Sequence, residues 1–226
     1  MIKESYTENF YSYNSKYINN VLALRPPQHE SLEIFARLCD TISLAKNPTT
    51  IEQIKESHQA ELAVLDTEAK RIKKITQWAS EAAEDCAAAR ALCPTLTSFE
   101  RDFPSFCFAL ATGIGKTRLM GACIAYLYYE KGIKNFFVMA PNLTIYRKLK
   151  DDLGNPSNPK YVFRGLDKFV NPPRIIDGDN YTDFRQGSFL VNDIIINIFN
   201  IAKLNSDSKT SSGSPARIKR LNEVLG

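Results

Sequence analysis

The sequence predicts an α/β fold in which helices flank a parallel sheet, with a helical region ahead of it. Two observations support this prediction. From residue 103 onward, short apolar runs alternate with segments of helical periodicity, which is typical of a parallel sheet. Before that point, apolar residues recur three or four positions apart with charged residues between them. We therefore expect an N-terminal helical region over 1–100 and an α/β lobe over 101–226.

Composition places the chain among ordinary globular proteins. Its 226 residues are 44% hydrophobic and 24% charged, and the net charge of +4 permits an anionic partner without requiring one. The five cysteines show no C-x-x-C spacing, which argues against a disulfide framework or a zinc site. The polar start MIKESYTENF has no signal-peptide core, and the apolar stretch LMGACIAYLYY is shorter than a membrane span. We therefore expect a cytoplasmic protein with no membrane association.

Two helical segments make up the N-terminal region. In the first, RPPQHESLEIFARLCDTISL, prolines occupy the helix start and apolar residues follow at helical spacing. The second runs from about 51 to 92 and meets no Gly or Pro before Pro94. Unbroken, it would extend roughly 60 Å at a rise of 1.5 Å per residue. We therefore expect a break or a projecting arm, used as a structural insertion or an interaction surface.

The α/β part alternates regularly. SFCFAL, KNFFVMAP and KYVFRG are predicted strands, and PRIIDGDNY and DIIINIFNIAKLN contain further strand candidates. KTRLMGACIAYLYYEKG and TIYRKLKDDLG are predicted helices. NSDSKTSSGSPAR is a polar segment that predicts a loop.

A glycine-bearing loop joins the first predicted strand to the first of these helices. Glycines at 113 and 115 allow the backbone N–H groups to approach an anion, helped by the helix dipole. Lys116 would bring a positive charge to the phosphates, and the Thr117 hydroxyl would ligate Mg²⁺. The full Walker pattern requires glycine where this chain has Leu110, so the match is to the shorter form G-x-G-K-T. The loop predicts a nucleotide site, against the alternative of an ordinary glycine turn.

Several segments together resemble a known family. ALATGIGKTRLMGA resembles motif I of superfamily 2 helicases, APNLTIYRKLKDDL resembles their motif Ia, and LRPPQ resembles the element whose glutamine reads adenine. With NPSNPKYVF, GDNY and INIFNIAKLN, they are similar to the N-terminal motor lobe of the Res subunit of type III restriction enzymes. The resemblance covers about residues 20–48 and 100–226. It implies a partial RecA-like P-loop lobe, ATP and Mg²⁺ as ligands, double-stranded DNA as substrate, and a modification (methyltransferase) subunit as partner.

The resemblance also assigns roles to individual residues. Gln28 would hydrogen-bond adenine, with an exposed helix-start glutamine as the alternative. Lys116 and Thr117 would be the catalytic pair, with Thr117 also the Mg²⁺ ligand. The expected nucleotide-binding set is Gln28, Thr112, Gly113, Ile114, Gly115, Lys116, Thr117 and Arg118.

Motif Ia would contact the DNA backbone. Pro141, Asn142 and Thr144 follow the second strand at a helix N-terminus, where an N–H group and a hydroxyl can hold a phosphate. Arg147 is assigned to DNA as well, and Lys148 and Lys150 would add positive charge nearby. The alternative for the three cations is a solvated helix face.

Hydrolysis in this class requires an acidic motif, whose aspartate holds magnesium and whose glutamate positions water. Neither D-E-x-H nor D-E-x-D occurs in the sequence, and the resemblance places that motif soon after Gly226. We therefore expect the N-terminal piece of a larger motor that binds ATP without efficient hydrolysis. Asp177 and Asp179 could be replacement metal ligands or, beside Gly178, turn formers. The alternative function is a non-hydrolysing nucleotide- or partner-binding module, and nothing resembles the arginine-bearing lid of a small-molecule kinase.

Overall fold

The structure, a computed structural model, describes residues 13–44, 51–96, 99, 103–178 and 194–200. These residues form helices and a parallel sheet, as the sequence predicts. The helices are α1 (Tyr13–Leu22), α2 (Pro26–Thr41), α3 (Ile51–Ser57), α4 (Gln59–Ala63), α5 (Glu68–Arg90), α6 (Lys116–Lys131) and α7 (Leu143–Gly154). The strands are β1 (Asn135–Ala140), β2 (Arg174–Asp177) and β3 (Ile195–Asn200), with a 3₁₀ turn at Asp167–Phe169.

The described residues group into two compact units. One contains the described part of His29–Ile114, and the other contains Tyr13–Gln28 with the described part of Gly115–Gly226. Helix α2 therefore begins in one unit and continues in the other. The predicted domain boundary at residue 100 stays a prediction.

The first unit is helical. The long helical segment predicted over 51–92 is broken, as expected, into α3, α4 and α5. Its last break is set by Thr67, whose side chain caps α5 by accepting a hydrogen bond from the Lys70 N–H. A small core gathers apolar side chains from α2, α5 and the segment after α5; its members are Leu38, Ile42, Cys86, Ala89 and Phe99.

The second unit contains the sheet. Both strand pairs are parallel, and β3 lies between β1 and β2. Five consecutive residues of β3, from Ile196 to Asn200, are buried, as expected for the central strand of a parallel sheet. Helix α7 packs against all three strands, so its N-terminus is fixed at the end of β1.

Helix α1 packs against α6 in the same unit. Tyr17 and Tyr129 donate their hydroxyls to Asp167 Oδ1, the first at 3.1 Å. The hydrogen bond from Tyr129 is the main reason that the pKa of the Asp167 carboxyl lies below its usual value. Burial, followed by the hydrogen bond to Asp167, raises the pKa of Tyr129. These contacts attach α1 and α6 to the 3₁₀ turn.

Two predicted strands are wrong. Residues 104–111, which contain all of SFCFAL, form no strand, and the rings of Phe106 and Phe108 instead pack against Phe99 and Phe35. The apolar character of this run therefore reflects aromatic packing within the helical unit.

KYVFRG is a series of turns, not a strand. The side chains of Asn155 and Asn158 accept hydrogen bonds from the backbone N–H groups of Ser157 and Lys160, which forms two successive Asx turns. The Val162 N–H then bonds to the backbone oxygen of Asp152 on α7, at 2.9 Å. Local turn chemistry therefore prevails over the β-branched and aromatic composition. None of the described helices combines the length and the hydropathy needed to cross a membrane.

Candidate nucleotide-binding site

The loop before α6 has a backbone conformation that favours glycine. Gly113 and Gly115 have φ angles of +83° and +94°, in the left-handed region. A Cβ atom at Gly115 would also lie 2.7 Å from Gln28 Nε2. Glycine is therefore required at 115 on two grounds, conformation and space.

The N-terminus of α6 has the features of an anion site. Gly115 is its N-cap and offers no side-chain hydrogen bond, and the first turn carries no acidic residue. The positive end of the helix dipole is thus not offset by a carboxylate of that turn. Lys116 is exposed at this end, and Thr117 is half-buried beside it. These groups fit a polyphosphate and its magnesium ion, for which the hydroxyl would be a suitable ligand.

Gln28 connects α2 to the loop. Its Nε2 donates to the Gly115 carbonyl at 2.8 Å, and its Oε1 accepts from the Arg25 N–H at 2.8 Å. The side chain is only 1% exposed, so the alternative of an exposed helix-start glutamine is wrong. The structure thus gives Gln28 a contact with the phosphate loop that the sequence did not suggest. Its role toward adenine stays a prediction.

Arg118 contacts α1. Its Nη1 donates to the backbone oxygen of Leu22, the last residue of α1, at 2.7 Å. A cation is favourable at the C-terminal end of a helix. In this structure Arg118 therefore joins α6 to α1, and its contact with nucleotide stays a prediction. Thr112 and Ile114 lie in the loop itself, with Thr112 exposed.

The motif Ia residues lie at the turn between β1 and α7. Asn142 is the N-cap of α7, and its side-chain oxygen accepts a hydrogen bond from the Ile145 N–H at 2.9 Å. Pro141, Thr144 and Arg147 are exposed. A helix N-terminus with exposed polar groups can hold a phosphate. DNA binding by these residues stays a prediction.

Lys148 lies close to the phosphate loop. Its Nζ donates to the Thr117 hydroxyl at 3.1 Å and to Asp152 Oδ2 at 2.6 Å. The four-residue spacing of Lys148 and Asp152 is a signal that could have predicted their ion pair. No sequence signal predicted the contact between Lys148 and Thr117. The loop and α7 are therefore joined directly at the hydroxyl proposed to bind magnesium.

Lys150 also has a buried partner. It forms an ion pair with Asp177, which is 2% exposed and ends β2. Each ammonium group therefore contacts a buried carboxylate while 50% of the Lys148 side chain and 36% of the Lys150 side chain stay exposed, and the interpretation of a solvated helix face stays a prediction. Asp177 ends β2 directly before the turn at Gly178, so its interpretation as a turn former or metal ligand stays a prediction, and Asp179 lies outside the described residues.

Comparison with known proteins gives a consistent result. Residues 22–221 match the family described as the res subunit of type III restriction enzymes. The chain is 28% identical over 138 residues to a probable type III restriction-modification enzyme HindVIP Res subunit from Haemophilus influenzae. That alignment covers 57% of this chain and 25% of the relative, so the chain spans about a quarter of the protein it matches. No solved structure matches the chain.

Proposed function

The chain belongs to the family of type III restriction enzyme Res subunits, and on this basis we propose that it is the ATP-binding N-terminal part of a DNA-dependent, helicase-like translocase. The observation that carries the proposal is the N-terminus of α6. There a left-handed Gly115, exposed Lys116 and the Thr117 hydroxyl lie at the positive end of a helix.

Each group has a distinct role in this proposal. Lys116 contacts the β and γ phosphates, and Thr117 ligates the Mg²⁺ that accompanies ATP. Bound magnesium would neutralise charge on the phosphates. Gln28 holds the Gly115 carbonyl through its amide, so it fixes the loop whatever its contact with adenine.

Motif Ia supplies the proposed contact with double-stranded DNA. Asn142 keeps the start of α7 ordered by capping it, and Thr144 and Arg147 are exposed on that first part of the helix. Backbone contacts of this kind position a protein on DNA without reading sequence. Sequence recognition then falls to the proposed partner, a modification (methyltransferase) subunit.

For this chain alone, we propose ATP binding without efficient hydrolysis, because its sequence holds no D-E-x-H or D-E-x-D motif. The same observation favours a second candidate, a non-hydrolysing nucleotide- or partner-binding module. The two candidates differ in whether DNA alters nucleotide binding. Under the first candidate double-stranded DNA changes the nucleotide affinity, and under the second it does not.

The proposal is tested by binding and turnover of ATP on the wild-type chain and on Lys116→Ala. We expect the wild type to bind a fluorescent ATP analogue, Lys116→Ala to lose that binding, and neither to release phosphate. Lys131→Ala is the matched control, because Lys131 ends the same helix about 22 Å from Lys116 at 1.5 Å per residue. A folded wild-type chain that binds no nucleotide would refute the proposed site. Turnover that Lys116→Ala abolishes would refute the absence of hydrolysis.

A further inference from the structure

A lysine ammonium lies at the hydroxyl proposed to ligate magnesium. Lys148 Nζ is 3.1 Å from Thr117 Oγ1 and 2.6 Å from Asp152 Oδ2. Lys148 and Asp152 are one turn apart on α7, whereas Thr117 belongs to the first turn of α6. The contact therefore joins two helices through a single lysine ammonium group.

The acceptor that holds this cation is fixed. Asp152 is 3% exposed, and its Oδ1 accepts a hydrogen bond from Asn158 Nδ2 at 3.1 Å. Its backbone oxygen accepts from the Val162 N–H at 2.9 Å. The Lys148 side chain, by contrast, is 50% exposed. It can therefore change its contacts without disturbing the core.

We propose that Lys148 is a resident cation on Thr117 that must withdraw when Mg²⁺-nucleotide binds. This inference rests on the proposed function, because it takes Thr117 as the metal ligand. A magnesium ion about 2.1 Å from Thr117 Oγ1 would lie at most about 5 Å from an ammonium placed 3.1 Å from the same oxygen. Two cations at that separation repel each other. Lys148 thus opposes metal binding at Thr117.

A role of Lys148 in binding the nucleotide phosphates would give a different result. If Lys148 instead binds the phosphates of the nucleotide, its loss weakens binding both with and without magnesium. The quantity that separates the roles is the magnesium enhancement, defined as the nucleotide affinity with Mg²⁺ divided by the affinity in EDTA. Competition between Lys148 and magnesium lowers this ratio in the wild type, and removing Lys148 raises it. A purely structural role of Lys148 does not alter it.

The experiment measures the affinity of the full chain for fluorescent ADP in Mg²⁺ and in EDTA. We expect Lys148→Gln to raise the magnesium enhancement at least about threefold over the wild type. The double variant Lys148→Gln with Asp152→Asn should show the same rise in magnesium enhancement. It avoids an unpaired buried carboxylate if the single variant folds poorly. Lys168→Gln is the matched control, because it removes the same charge far from Thr117. Lys168 Nζ lies 4.6 Å from the centre of the Tyr129 ring, and Tyr129 is twelve residues after Thr117 on α6.

The outcomes are separable. An unchanged or reduced enhancement in both Lys148 variants, with normal ADP binding by the wild type, would overturn the inference and leave the proposed function standing. A rise of equal size in Lys168→Gln would overturn it also, since the effect would then reflect net charge. A wild-type chain that binds no ADP would overturn the proposed function and this inference with it.

Discussion

Replacing Gly115 with alanine should destabilise the second unit in a way that depends on Gln28. The backbone at Gly115 has a φ of +94°, and left-handed backbone in a residue with a Cβ costs about 1–2 kcal/mol. The new Cβ would also lie 2.7 Å from Gln28 Nε2. Moving that amide breaks its hydrogen bond to the Gly115 carbonyl, which costs a further ~1 kcal/mol. We expect Gly115→Ala to lower the free energy of unfolding by roughly 2–3 kcal/mol.

A double-mutant cycle isolates the contact. Gln28→Ala removes a buried side chain and two hydrogen bonds, with an expected cost of about 1–3 kcal/mol. Once Gln28 is absent, alanine at 115 no longer meets the amide and only the backbone strain remains. The double variant should therefore cost about 1 kcal/mol less than the sum of the two single variants.

The assay is urea unfolding followed by circular dichroism, with Gly132→Ala as the control. Gly132 also has a left-handed φ, +65°, but a Cβ there would meet nothing within 4 Å. Gly132→Ala should therefore lower the free energy of unfolding through backbone strain alone. That loss should be additive with the loss caused by Gln28→Ala. Additivity of Gly115→Ala and Gln28→Ala within about 0.3 kcal/mol would refute the proposed contact between Gln28 and the loop.

Two further predictions concern packing and pH. Gly121→Ala places a Cβ 2.6 Å from Val162 Cγ2 and 2.7 Å from Val162 Cβ, so it should destabilise the chain by about 1 kcal/mol in urea unfolding despite the better helix propensity of alanine. Val162→Ala removes the Cγ2 contact but keeps the Cβ, so it should relieve only part of the loss, and a stabilised Gly121→Ala variant would contradict this. The pKa of Asp167 is lowered in the folded state, so its contribution to stability is present above its ordinary value near 3.8 and is lost as the pH falls through the lower folded value. Asp167→Asn should therefore flatten the dependence of the free energy of unfolding on pH between about 5 and 3, and equal slopes in both proteins would be evidence against it.

The elements predicted correctly have strong local signals. Helix α2 begins at the proline pair, α7 begins after its capping asparagine, and β1 and β3 are six-residue strands composed mostly of apolar residues. In each case the local preference agrees with the tertiary environment. Helix α1 was not predicted, although Ser15, Ile18 and Leu22 are buried at helical spacing. The composition of α1 is otherwise polar, and only two of these three buried residues, Ile18 and Leu22, are apolar.

The two errors in strand prediction have a common cause. Apolar composition indicates burial, but it does not say whether the burial occurs in a sheet or under a loop. Phe163 illustrates the point: it is fully buried because its ring stacks on Phe169 at 4.2 Å, within a chain segment made of turns. A strand needs a neighbouring ladder as well as an apolar face, and the sequence specifies only the second.

The candidate site shows where the limit of sequence reasoning lies. The glycines, Lys116 and Thr117 are adjacent in the chain, so their pattern predicted a phosphate loop. Gln28 and Gly115 are separated by 87 residues, and Lys148 and Thr117 by 31, so their contacts depend on how the helices pack. The same packing determines which cations of α7 pair with carboxylates. Two lysines of the helix face expected to meet DNA pair with buried carboxylates, so Arg147 is the one of the three cations without such a partner among the described residues. DNA affinity at this helix should therefore depend far more on Arg147 than on the total positive charge of α7, and the state of Lys148 should follow the nucleotide.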